Sequence, residues 1–217
     1  MDVRLKRWIG LAGPLFVILV VVSGAVVGPM PPDSHASSAQ VVAFYSKHKS
    51  GVEVSAYLLE LAVFVGVIFF WYLRDLVATV EGNRRLATIG FAGVVIFAVS
   101  GGLSGSIKWA LADAVNHVAP TTMQTLGVLQ NDGSTFLSGV GQAVFLVATG
   151  IALIRSGVLG RWLGWVGVVF GGVALALPFI GPIPAGLWVL IASIVILVKE
   201  RGGASSPDVP YSPAQTS

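Results

Sequence analysis

The sequence predicts an all-α membrane protein: a bundle of six transmembrane helices with short amphipathic helices in its outer loops. Three observations carry that expectation. Apolar stretches recur at membrane-spanning length, Lys and Arg gather in alternate loops, and tryptophans mark the ends of the stretches. The bulk numbers agree: of 217 residues, 55% are hydrophobic and 11% charged, with a mean hydropathy of +0.85. No polar stretch between the apolar runs is long enough to sustain a soluble domain with its own core.

An α-helix needs about 20 apolar residues to cross the hydrocarbon core. The expected spans lie at about 8–28, 54–73, 86–108, 134–154, 162–179 and 184–199, within one bundle over residues 1–201. The first run follows three basic residues and exceeds the usual h-region of about 7–15 residues, with no convincing cleavage site after it, so it reads as an uncleaved anchor span. Past Pro29-Met30-Pro31-Pro32, Ser37 and Gln40 form a capping box. Val41, Phe44, Tyr45 and His48 then share one helical face, suited to lying on the outer membrane surface or capping the bundle. The next outer segment, about 112–133, contains a helix start at Pro120-Thr121-Thr122 and a turn signal at Asn131-Asp132-Gly133. The last two spans make a hairpin bent at Gly181-Pro182-Ile183-Pro184, and the polar tail 202–217 is expected to be disordered and cytoplasmic.

Charge orients the bundle. With the N-terminus in the cytoplasm, the inner segments hold ten of the thirteen Lys and Arg residues, leaving Lys47, Lys49 and Lys108 outside. That is the positive-inside pattern, and six spans return the C-terminus to the cytoplasm. The pI near 9.5 is thereby explained by the bilayer, and a nucleic-acid partner is not expected. Trp8, Trp71, Trp162 and Trp165 fall at inner span ends, while Trp109 and Trp188 fall at or near outer ones, as an interfacial belt would.

Small residues are in register on several spans: Gly160, Gly164, Gly167 and Gly171; Gly101 and Gly105; Gly139 and Ala143. Close backbone approach at such positions supplies much of the contact between helices in lipid. These faces serve packing within the bundle or, alternatively, a homo-oligomer or another membrane-protein partner.

Catalytic chemistry finds little support. The chain has no cysteine, which removes thiol redox chemistry and thiolate ligation. His35, His48 and His117 all lie in outer segments without metal-ligating spacing, so no cofactor or metal is expected. Gly102-Leu103-Ser104-Gly105 matches the nucleophile motif of rhomboid intramembrane proteases, but no span carries a histidine to act as base. No phosphate-cradling loop occurs.

One intramembrane carboxylate breaks the apolar pattern. Glu60 stands about seven residues below the outer start of the second span, with Glu53 and Tyr57 on its face. Such a group is costly in lipid and marks a functional site by default. Ser104, Lys108 and Gln142 lie at similar depth, which together suggests an outward-facing polar pocket around Glu60. The first reading of Glu60 itself is structural, a carboxyl protonated or hydrogen-bonded to Gln142 and Tyr57 that holds helices together; a ligand- or proton-handling role is the alternative, and a lipid-headgroup contact the third.

The segment from Val41 to Tyr45 with His48, the span opening Tyr57-Leu58-Leu59-Glu60, the loop Leu73-Arg74-Asp75-Leu76, and above all Gly157-Val158-Leu159-Gly160-Arg161-Trp162-Leu163-Gly164-Trp165 resemble an uncharacterised family of small multi-pass membrane proteins common in actinobacteria. The likeness runs from about residue 8 to 200, with Gly160 departing from the proline of the family pattern. It implies a six-span bundle in a bacterial plasma membrane and brings no activity. The expected function is therefore a non-enzymatic scaffold or regulatory subunit of a membrane complex. The alternative is a small transporter or an ion- or lipid-handling protein built on the Glu60 pocket.

Overall fold

In a computed structural model, residues 3–203 are described, with side chains over residues 8–199. The described residues are mostly helical and contain no strand. The elements are α1 (Val3–Val27), α2 (Ser38–Lys47), α3 (Lys49–Ala78), α4 (Arg84–Ala114), α5 (Pro120–Val128), a π-helical turn (Leu129–Gly133), α6 (Ser134–Ser156), α7 (Arg161–Ala176) and α8 (Pro182–Gly203). Five helical stretches are long and apolar enough to cross a membrane, the fourth being the continuous rod Pro120–Ser156. The fifth expected span, 162–179, corresponds to the shorter apolar helix α7, of 16 residues. Of the tail expected from residue 202, Gly202 and Gly203 belong to α8, and 204–217 lie outside the described residues.

The six long elements form a ring in chain order, in which α1 packs on α3, α3 on α4, α4 on α6, α6 on α7, α7 on α8, and α8 back on α1. Helix α6 also touches α3 and α8, which makes it the pillar of the bundle. Its burial follows: Phe136 is its one large apolar side chain well exposed, whereas α1, α3 and α8 each turn several Leu, Ile, Val or Phe side chains outward. Apolar exteriors of that extent suit lipid rather than water.

Glycines set the helix spacing. A Cβ on Gly93 would stand 2.7 Å from the Gly141 carbonyl oxygen, and one on Gly150 would stand 2.6 Å from that of Gly164. Gly164, Gly167 and Gly171 all abut α6, and Gly101 and Gly105 abut α3. The glycine faces that could have served an oligomer are thus occupied within the chain.

Three expectations about the chain path change. The hairpin bend lies at 177–181, and Pro182 and Pro184 belong to the first turn of α8. A proline costs nothing there, because first-turn N–H groups have no intrahelical acceptor. Asn131-Asp132-Gly133 does not turn the chain but lies in the π-helical join between α5 and α6. Its side chains serve tertiary bonds instead: Asn131 Nδ2 donates to the Pro32 carbonyl (2.9 Å), and Asp132 accepts from Ser34 (2.6 Å). Trp188, expected near the interface, is fully buried mid-bundle, where Nε1 donates to the Leu163 carbonyl (3.0 Å). Burial is tolerable because that indole N–H has its partner. Trp8, Trp71, Trp109, Trp162 and Trp165 are exposed, as belt residues are.

The Ser37–Gln40 capping box forms at the start of α2. Helix α2 caps the bundle: Val41 and Tyr45 are buried in a small outer core with Val52, Leu111 and Met123.

Candidate functional site

The bundle is tight in the half nearer Arg74, Arg84, Arg85, Arg155 and Arg161, termed the inner half by the orientation the charge pattern leads one to expect. Phe16, Phe70, Phe145 and Trp188 run across it edge to face, with ring centroids 5.6, 4.9 and 5.5 Å apart in turn. Phe97 joins the row through Phe16 at 6.1 Å. Above this aromatic floor the helices part around a cavity of about 560 Å³, walled by α1, α3, α4, α6 and α8. Sites for small ligands commonly enclose roughly 300–1,000 Å³.

The opening follows from the shortness of the α7–α8 hairpin. Gly139 of α6 lies against Ala174 and Pro178, and Gly181 lies against Gln142, so the hairpin tip meets α6 five to eight residues below Ser134. Helices α1 and α6 make no contact anywhere along their length, and above the tip the hairpin no longer fills the space between them. Val21 on α1 and Ile183 on the first turn of α8 line the cavity yet are 64% and 74% exposed, which places its mouth there. The tip itself, Leu177-Pro178-Phe179-Ile180-Gly181, carries no charge and exposes Leu177, Phe179 and Ile180.

One wall is polar. Ser100 and Ser104 from α4 face Ser134, Thr135, Ser138 and Gln142 from α6. The Ser100 hydroxyl donates to the Ser134 carbonyl (2.5 Å), and the Ser134 hydroxyl donates to the Gln130 carbonyl. Gln130 Nε2 donates to Ser104 (3.2 Å), and Gln142 Nε2 to Ser138 (2.8 Å). The π-helical turn makes this possible by carrying Gln130 into the bundle beside α4; single π turns recur at functional sites for such re-aiming. The Oε1 atoms of Gln130 and Gln142 are enclosed without partners, so each amide is only half satisfied.

The six residues expected to form one pocket are divided by the structure. Ser104 and Gln142 line the cavity. Lys108 stands one turn beyond Ser104 on α4, is partly buried, and is not among the residues that line the cavity. Glu60 lies elsewhere. It is exposed on the outer side of the α3–α4 contact, where its carboxylate occupies the groove left by Gly102 and Gly105 and accepts a long bond from Ser106 (3.5 Å). Tyr57 is 65% exposed on that same flank. Glu53 pairs with Lys49 (3.8 Å), which also reaches Asp113 (3.8 Å). A step of about 100° per residue is the reason: Glu60 follows the cavity-lining Leu59 by one position and so leaves that arc.

Ser100, Gln130, Ser134, Thr135 and Ser138 were not singled out from the sequence. A signal existed, since Ser100-Ser104-Lys108 and Ser134-Ser138-Gln142 are both i, i+4, i+8 columns. No family model, curated protein or solved structure matches the chain.

Proposed function

We propose that the protein is a plasma-membrane binding protein for an amphiphile, which it holds in the cavity between α1, α3, α4, α6 and α8 without transforming it. The observation that carries this reading is a 560 Å³ space whose floor is aromatic, whose walls are aliphatic and whose one polar face is a column of hydroxyls and amides. A chain-bearing molecule satisfies both kinds of surface, and a small ion satisfies only one. Ser104 accepts its bond from an amide, and the only histidines lie in outer segments, so the column has the makings of a binding surface rather than of a nucleophile–base pair.

The membrane placement belongs to the same proposal. Helices α1, α3, α4, α6, α7 and α8 are read as six crossings with both termini in the cytoplasm. Arg74, Arg84, Arg85, Arg155 and Arg161 sit at one end of the ring, where Lys199 donates to the Val158 carbonyl. With that end inside, the cavity mouth opens toward the outer leaflet, between α1 and α6. A scaffold or regulatory subunit is the weaker reading, because the glycine faces that motivated it are spent on internal contacts.

Filling the cavity tests the function. Ser138→Phe adds a ring where the wall is open to the cavity. Native mass spectrometry of the full chain from mild detergent should show a bound lipid on the wild type and none on Ser138→Phe, with the variant still running as a monodisperse peak despite the lost Gln142–Ser138 bond. Equal lipid retention by the two proteins would sink the proposal.

A further inference from the structure

We infer that the occupant of the cavity is an anionic amphiphile, whose phosphate or carboxylate head is held by Lys108 and the hydroxyls of Ser104 and Ser138. This rests on the cavity reading above and names its ligand class. Among the described lysines and arginines, Lys108 is the one withdrawn from solvent without an ion pair or hydrogen bond. Arg84, Arg85, Arg155, Arg161 and Lys47 are exposed, and Lys49 and Arg74 have carboxylate partners. An ammonium at that depth is costly until an anion meets it.

Lys108 does not itself line the cavity; its reach along α4 ties it there. Ser100, Ser104 and Lys108 are spaced one turn apart, so Lys108 lies about 6 Å beyond Ser104 along α4. Helical side chains lean toward the N-terminus of their helix. For α4 that direction runs back toward Ser104, over the polar column. Among the described residues no carboxylate pairs with it: Glu60 lies on another arc, against Gly102, Gly105 and Ser106, while Glu53 and Asp113 share Lys49.

The hydrogen-bond balance points the same way. Ser104 and Ser138 each accept from a glutamine amide, which leaves their own hydroxyl hydrogens uncommitted. The acceptors without partners, on Gln130 and Gln142, are enclosed by protein atoms. What the wall offers an occupant is therefore donors, capped by a cation, and an oxyanion is the complement of that set. Below the head, Phe16, Phe97, Val20 and Leu190 offer only apolar contact, suited to a chain.

The test uses the full-length protein in nanodiscs and two probes with identical diazirine-bearing chains, phosphatidic acid and phosphatidylcholine. Photolabelling of cavity peptides should favour phosphatidic acid by about tenfold, the scale of a buried charge-assisted bond. Lys108→Met should abolish the preference and Lys108→Arg should keep it, which separates charge from folding. Equal labelling of the cavity by both probes, unchanged in Lys108→Met, would overturn the anionic assignment and leave the cavity reading intact. Absence of cavity labelling by either probe would overturn both. Displacement of the phosphatidic acid probe by millimolar inorganic phosphate would show a free-anion site and overturn the lipid assignment.

Discussion

The two halves of the bundle are built from the same kind of helix and reach opposite results. In the inner half, Gly150 and Gly164 bring α6 and α7 so close that neither has room for a methyl group, while Gly13 of α1 meets Ser193 and Phe69. In the outer half, the hairpin that stands between α1 and α6 stops short and leaves the space between them unfilled. Backbone closes one half, and the absence of a helix end opens the other. Helices in lipid have no hydrophobic reason to collapse on a gap, so a space of this kind persists until a chain fills it.

The sharpest way to break the comparison is to add bulk in each half. Gly164→Leu places a Cβ 2.5 Å from the Gly150 carbonyl oxygen. Backbone cannot step aside as a flexible side chain can, so the cost should reach or exceed the 1–3 kcal/mol of ordinary overpacking, roughly. We expect loss of the monodisperse peak in size-exclusion chromatography. Gly172→Leu, eight residues along the same helix with nothing within 4 Å, should behave as wild type. The comparison fails if the two variants express and melt alike, or if Ser138→Phe in the outer half proves as damaging as Gly164→Leu.

How far the sequence disclosed this asymmetry depends on which residues carry it. The apolar middles of α3, α4 and α6 follow from apolar length, though α3 and α4 run past the expected 54–73 and 86–108 to Lys49–Ala78 and Arg84–Ala114; the Ser37–Gln40 box is local chemistry that any context preserves. The hairpin tip was opaque because 162–198 is apolar almost throughout, so nothing marks where the chain turns. Its prolines read equally well as a bend or as a helix start. Asn131-Asp132-Gly133 misled for a different reason, since Pro32 and Ser34 outbid the local turn. Glu60 drew attention by its charge, while serines of the cavity wall look like ordinary packing residues until two columns are seen face to face. Ser104 and Gln142 drew attention by their place along the spans and do line the cavity, whereas Lys108 stands one turn beyond it.

The outer cap offers a smaller effect with a defined pH window. Burial of the Tyr45 phenol pushes its pKa from 10.0 to about 12. Between those values the unfolded chain has lost a proton that the folded one retains, so stability falls as pH rises. The contribution is intact below about pH 10 and gone above about pH 12, an effect of order 2 kcal/mol. Melting curves from pH 8 to 12 should show wild type losing more stability than Tyr45→Phe, which lacks the ionisable group. Parallel curves would mean that the cap is already open and that the outer half has no packed lid.

Glu60 should give the smallest effect, and its smallness is informative. The carboxylate lies outside the cavity arc, exposed, with one long bond from Ser106. Glu60→Gln keeps the shape, and its amide can still accept from Ser106, so stability should change by no more than about 0.5 kcal/mol, as at surface sites. Bound lipid measured by native mass spectrometry should be unchanged too. A variant that loses its lipid while Ser138→Phe keeps it would move the functional site from the cavity to the α3–α4 flank. The polar column of α4 and α6 would then be packing alone. If instead Ser138→Phe loses lipid and Glu60→Gln retains it, the outer half's function belongs to the space left by the short hairpin, and the one charge that stands out in the apolar sequence is a lipid-facing side chain of the α3–α4 contact.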